Sequence, residues 1–257
     1  MLSNAQRADF QERGFCVLEQ AFDPEPAAEM SGILWEELAR LGVHRDDPGT
    51  WRYVAGTEYH RLVARGVFHR VATPALQGAI DDLLAPGAWV DAGWGSPLVT
   101  FPSSPNTVWT VPGKGWHTDF PVHGTLDRLR MFAYLADVRP HGGGTLVVSG
   151  SHRVARAWVK AHLEAPNSSN LRKFLAREYR WFADLMGPGG AEGRDARLMR
   201  DGDHVLGVPV HVVELAYDAG DVVLWDPCLL HTVAPNCLRE PRVMLSHTAV
   251  RLDGVET

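Results

Sequence analysis

The sequence predicts a mainly β protein, a sandwich or a barrel, with helices flanking it. Three observations carry that expectation. From about Leu98 onward, short β-branched and aromatic runs alternate with Gly, Pro and Asn turns, the pattern of an all-β domain. No regular strand–helix alternation appears, as a parallel sheet would need. The N-terminal third instead carries apolar residues at helical spacing.

Taken in order, Asp23-Pro24 is a helix start, because Asp accepts free N–H groups and Pro lacks the donor that would be orphaned. Met30, Ile33, Leu34, Leu38 and Leu41 follow at helical spacing, and Gly42 supplies a left-handed stop. Thr73-Pro74 repeats the start chemistry before the stripe Leu76, Ala79, Ile80, Leu83 and Leu84. The stretch Trp51 to Phe68 carries no clear element signal. Strands are expected at Leu98–Phe101, Thr107–Val111, Leu129–Leu135 and Thr145–Val148, then at Val208–Tyr217, Asp221–Trp225, Leu229–Val233 and Arg242–Arg251. Between the two sets, about Ser151 to Asp203 reads as an inserted helical segment. Ser168 or Ser169 caps a helix whose Leu171, Phe174, Leu175, Phe182 and Leu185 share a face and which ends at Gly187-Pro188. Gly189 to Asp203 is expected to be a mobile loop. No linker or repeat divides the chain, so a single domain spans 1–257: helical support over 1–95, and a β core over 96–252 carrying the insertion at about 151–203 as a lid.

Composition narrows the function. The 257 residues are 45% apolar with a formal net charge of −6, which argues against nucleic acid, whose phosphates call for a basic stripe. No apolar run approaches the roughly 18–20 residues that span a bilayer. Met1 to Gly14 has no apolar core of a secretory signal. Three cysteines, Cys16, Cys228 and Cys237, are too few for a disulfide framework. Reduced, packed thiols in a cytoplasmic protein are expected.

Among 12 histidines, His117 stands out in Gly115-Trp116-His117-Thr118-Asp119. In a strand, residues i and i+2 share a face, so His117 and Asp119 project together. His231 lies far downstream, at the end of an apolar run, and Arg242 opens the last long strand. A histidine and an arginine on neighbouring antiparallel strands could face one cavity. Two imidazoles and a carboxylate form the facial triad of non-haem Fe(II) oxygenases, which leaves coordination positions open. A chelating 2-oxo acid takes two of them and dioxygen the third. A buried guanidinium suits the distant carboxylate of that acid, because its planar fork binds carboxylates bidentately and keeps its charge.

Three segments in this order resemble the phytanoyl-CoA dioxygenase family: Trp116-His117-Thr118-Asp119, then Gly142 to His152, then Gly220 to Asn236 ending in Arg242, with a weaker echo in Asp9 to Leu18. The resemblance implies a double-stranded β-helix (jelly-roll, cupin-like) core and an Fe(II)- and 2-oxoglutarate-dependent dioxygenase. It implies His117, Asp119 and His231 as iron ligands and Arg242 as the clamp on the C5 carboxylate of 2-oxoglutarate. Many relatives carry Ser two residues after the distal histidine, where this chain has Val233; many carry Gln three residues before the first, where it has Lys114. Lys114 is therefore a second candidate contact for the co-substrate. Asp119 fills the position that a small residue opens to chloride in halogenating relatives, which favours oxidation of a small organic substrate, most readily hydroxylation, with release of succinate and CO2; desaturation, epoxidation or ring rearrangement would need the same residues and stays open. No basic cluster suited to CoA phosphates is visible, so a natural-product intermediate or a small acid fits better. Oligomeric state is not legible.

Weaker candidates are His123, His141, His152, His204, His211 and His247, more readily structural than functional, and Trp94, Trp109 and Trp116 as core or pocket wall. Gly142 to Gly144 form a tight turn, not a phosphate cradle, since no Gly-Lys-Ser/Thr follows. Two other readings stay open: the same triad holding another divalent metal for hydrolysis or isomerisation, which leaves Arg242 without a role, and a non-catalytic binding protein of the same fold.

Overall fold

A computed structural model describes residues 1–91, 93–119, 126–161 and 167–252. Its α-helices of five or more residues are α1 (Asn4–Arg13), α2 (Pro24–Arg40), α3 (His60–Ala64), α4 (Pro74–Leu84), α5 (Ser151–Ala161), α6 (Ser168–Glu178) and α7 (Arg180–Leu185). A short turn, α8 (Arg194–Ala196), runs into a π-helical turn at Arg197–Asp201. The strands are β1 (Phe15–Leu18), β2 (Trp89–Asp91), β3 (Ser96–Thr100), β4 (Arg128–Tyr134), β5 (Thr145–Ser149), β6 (Asp203–Val205), β7 (Val208–Leu215), β8 (Val222–Trp225), β9 (His231–Val233) and β10 (Arg242–Arg251).

Two antiparallel sheets face one another. The larger runs β1-β8-β4-β10-β2, with β3 also on β10; the smaller runs β6-β7-β5-β9. This is the double-stranded β-helix that the resemblance implies. Side chains alternate across each sheet, and the alternation sorts them into cores. On β4, Phe132 and Tyr134 point between the sheets, where Trp225, Met244, Val147 and Leu215 meet them. Leu129, Met131 and Ala133 point outward onto the helical support, against Leu34, Leu38 and Ile80. On β5, Leu146 and Val148 face away from the larger sheet and pack on Trp158, Leu171, Phe182 and Leu185 of the insertion. Each such buried aliphatic contributes roughly 1.5–3 kcal/mol. The insertion is thus part of the core.

Several boundaries differ from expectation. Thr73 caps α4 through its hydroxyl, whereas Asp23 stands at the start of α2 without a side-chain cap bond. Thr107–Val111 forms no strand. Its polar groups bond instead to Asp195, which accepts from Thr110 Oγ1 at 3.0 Å and Val111 N at 3.2 Å. Gly189–Asp203, expected as a loop, supplies that partner from the helical turns at Arg194–Asp201. The single helix expected after Ser168 breaks into α6 and α7 at Tyr179, whose backbone is extended.

His152 of α5 is buried, and its Nε2 lies 3.1 Å from Gln11 O. Burial pushes its pKa down to about 4; the charge of Asp226 opposes this and that of Arg156 adds to it. An unfolded histidine titrates near 6.5, so between these values the unfolded chain holds the extra proton. Stability is therefore full above about pH 6.5 and falls by about 3 kcal/mol as the pH drops to 4. Denaturant melts from pH 7.5 to 4.5 should show this slope flattened in His152→Gln; equal slopes in both proteins would refute it.

Candidate metal centre and co-substrate cavity

His231 opens β9 after a turn held at several points. Asp226 Oδ1 accepts from Cys228 N at 2.9 Å, and Leu230 N donates to Ser151 Oγ at 2.8 Å. Asp226 is itself buried and paired with Arg156 of α5. The first helix of the insertion thereby braces the turn that presents His231.

His117 lies directly opposite His231 in an antiparallel bridge, the two residues exchanging N–H···O bonds of 2.9 Å each. Close cross-strand pairing brings the imidazoles side by side, with ring centroids 4.2 Å apart. Gly115 makes the approach possible: its φ of +84° lies in the left-handed region that favours glycine, and a Cβ there would lie 2.7 Å from Thr232 Oγ1. His117 Nδ1 donates to Gly115 O at 2.7 Å and His231 Nδ1 to Leu229 O at 3.1 Å. A carbonyl only accepts, so each Nδ1 carries the proton and each Nε2 keeps a lone pair.

Asp119 completes the cluster. Its Oδ1 lies 3.3 Å from His231 Nε2 and 3.7 Å from His117 Nε2. The three donor atoms lie within 4.8 Å of one another. Three lone-pair donors converging on one point repel each other unless a cation sits between them, so the donor set fits a divalent metal. Burial alone would raise the Asp119 pKa, but the neighbouring His231, then Arg130 and His117, hold it below the usual carboxylate range. Burial, followed by the neighbouring His231 charge, pushes His117 down. Both shifts favour the forms that bind metal.

Arg242 points into the same cavity, of about 640 Å³, from the larger sheet. It is only 4% exposed. Its Nη1 reaches Thr145 Oγ1 at 3.3 Å, its Nε has no partner, and no carboxylate among the described residues pairs with it. Burial pushes its pKa down to about 10. A buried cation without a counter-ion is costly, and an anionic ligand would relieve that cost. His231 and Arg242 do not lie on neighbouring strands, as expected, but on opposite sheets across the cavity.

Other candidates fall elsewhere. Lys114 is exposed and outside the cavity lining; only its carbonyl is engaged, by Thr232 Oγ1 at 3.4 Å. Trp116 is buried, with Nε1 donating to Pro112 O, while Trp94 stacks on His247 and Trp109 on His141. His141, His152, His204 and His211 do not line the cavity, and His123 lies outside the described residues. All three cysteines are free. No described residue of 151–203 lines the cavity; its other wall is Trp51, Tyr53 and Phe101, with Trp51 and Phe101 stacked at 5.6 Å. The sequence reading also passed over Arg130, whose Nε lies 2.5 Å from Asp119 Oδ2. The available signal was a charge at an inward position of β4, in phase with Phe132 and Tyr134.

Comparison with known proteins follows the same lines. A model of the phytanoyl-CoA dioxygenase family matches residues 10–243. The fold is similar to AviO1 from Streptomyces viridochromogenes Tue57, at 18% identity and a TM-score of 0.58, over 98% of this chain and 96% of that one. It is similar to SnoK, a non-heme alpha-ketoglutarate-dependent carbocyclase from nogalamycin biosynthesis, at 18% identity and 0.57, over 97% and 84%. HygX from Streptomyces hygroscopicus, solved with nickel and 2-oxoglutarate, matches at 15% identity and 0.54, over 98% and 88%. No curated protein is similar enough in sequence to match. No helix among the described residues is long and apolar enough to cross a membrane.

Two facing sheets with such a site define a jelly-roll, Fe(II)- and 2-oxoglutarate-dependent enzyme. The chain belongs to the phytanoyl-CoA dioxygenase family, whose cofactor and co-substrates are Fe(II), 2-oxoglutarate and dioxygen.

Proposed function

We propose that this enzyme hydroxylates a small organic molecule: substrate C–H, dioxygen and 2-oxoglutarate become C–OH, succinate and CO2. His117 Nε2, His231 Nε2 and Asp119 Oδ1 would hold ferrous iron, and Arg242, aided by Thr145, the C5 carboxylate of 2-oxoglutarate. When bound, the iron supplies activation of dioxygen for attack on an otherwise unreactive C–H bond. The observation that carries the reading is one cavity holding both the three converging donors and a buried guanidinium with no carboxylate partner among the described residues.

Each residue has a defined task. The carbonyls of Gly115 and Leu229 keep both imidazoles in the tautomer that offers Nε2. Asp119 occupies the third protein position, which favours hydroxylation over halide transfer. Thr145 stands where its hydroxyl supports Arg242, the task many relatives give to the serine that Val233 replaces. The cavity exceeds a five-carbon diacid, and we place the organic substrate against Trp51, Tyr53 and Phe101. A natural-product intermediate or a small acid suits such a wall. The insertion then acts as a brace for His231 and not as a lid. Free thiols agree with a cytoplasmic location.

Anaerobic addition of Fe(II) and then 2-oxoglutarate should produce a weak visible charge-transfer band, and admission of air should release succinate slowly even without substrate. A protein that binds Fe(II) but develops no band would favour another divalent metal and a hydrolytic or isomerising reaction. A band without succinate would favour a binding protein.

A further inference from the structure

We propose that Arg130 is a positioning residue that fixes Asp119 as a one-oxygen ligand and so keeps the remaining metal positions open. The inference rests on the iron reading above. Asp119 sits between two kinds of partner: Oδ1 faces the two Nε2 atoms, and Oδ2 meets Arg130 Nε at 2.5 Å. Arg130 is held in turn. Its Nη1 donates to Thr248 Oγ1 at 2.8 Å, and its guanidinium lies 5.6 Å from the Trp225 ring. Trp225 packs edge-on against His231 at 4.6 Å, so one scaffold locates a ligand and the residue that orients another.

The chemistry follows from counting. A six-coordinate ion with two imidazoles and one carboxylate oxygen has three positions left, as many as a chelating 2-oxo acid and dioxygen require. A carboxylate with both oxygens free can take a second position. With Oδ2 engaged by Arg130, Asp119 presents Oδ1 alone. Arg suits this task better than Lys, because one rigid guanidinium ion-pairs with Asp119 Oδ2 through Nε, a contact that is not an aligned hydrogen bond, while Nη1 donates to Thr248. Arg130 lines the metal cavity and also a second one of about 430 Å³ behind it, so it partitions the two.

The test compares wild type, R130M, R130K and T248V by anaerobic Fe(II) calorimetry, 2-oxoglutarate affinity at saturating Fe(II), and thermal melting. Loss of an outer partner of a metal ligand weakens metal binding by about 10–100-fold. R130M should show that loss, R130K part of it, and T248V a loss of a few-fold, with 2-oxoglutarate affinity falling in the same order. A merely structural ion pair would lower the melting temperature of R130M and leave the Fe(II) affinity of the folded protein within two-fold of wild type, which would overturn the proposal. If R130M fails to fold, R130K and T248V decide, and wild-type Fe(II) affinity in both would overturn it. Wild type that binds Fe(II) no better than His117→Ala would sink the iron reading itself, a result separable from the former.

Discussion

His117→Ala should abolish 2-oxoglutarate turnover while leaving the fold standing, and Asp119→Ala should abolish turnover and weaken the fold as well. The His117 side chain is 49% exposed, so truncating it removes little packing. What it removes is one of three donors, and two donors hold ferrous iron poorly. Asp119 differs because it also neutralises Arg130, in a pair whose side chains are 16% and 20% exposed. Removing one partner of a largely buried pair leaves an uncompensated charge, which costs about 3 kcal/mol. Succinate release, Fe(II) titration and denaturant melts on both variants separate the two effects. Sustained turnover in either variant would remove the triad from the mechanism.

Arg242→Leu produces effects of opposite sign. Without ligand, Arg242 is a buried cation lacking a carboxylate partner among the described residues, so the shorter apolar side chain should leave the melting temperature unchanged or raise it, the removed charge offsetting the packing lost. With ligand, the charge-assisted hydrogen bonds are gone. At about 1.5–3 kcal/mol, their loss raises the KM for 2-oxoglutarate by roughly 10- to 150-fold. Fe(II) affinity in the absence of 2-oxoglutarate should not move. An unchanged KM would place the carboxylate elsewhere in the cavity.

The legible parts of this protein are those set by short-range periodicity. The stripes of α2 and α4 follow from spacing alone, and β4 and β10 from their runs of strand-forming residues. Thr107–Val111 shows where that grammar fails. It has strand-forming residues, but Asp195 and Arg194 take its polar groups, and Val108 ends 82% exposed. Those partners come from a segment over 80 residues away, whose glycines and mixed charges read as a loop. The site divides in the same manner. His117 and Asp119 are legible as an i, i+2 pair, although the structure gives them an isolated bridge at His117 and a bend at Asp119 in place of the expected strand, and the family resemblance adds His231 and Arg242. Arg130 and Thr145 were not legible, because their roles depend on which side chains the two sheets bring together. Trp51 and Tyr53 come from a stretch with no periodic signal, although together with Phe101 they line the cavity.

The most direct test of the account is a crystal structure of the protein prepared anaerobically with Fe(II) and 2-oxoglutarate. The account predicts the metal at roughly 2.0–2.2 Å from His117 Nε2, His231 Nε2 and one oxygen of Asp119, the range such nitrogen and oxygen ligands adopt, with the far carboxylate of 2-oxoglutarate on Arg242. A metal bound away from these three atoms, or a co-substrate whose carboxylate avoids Arg242, would contradict it.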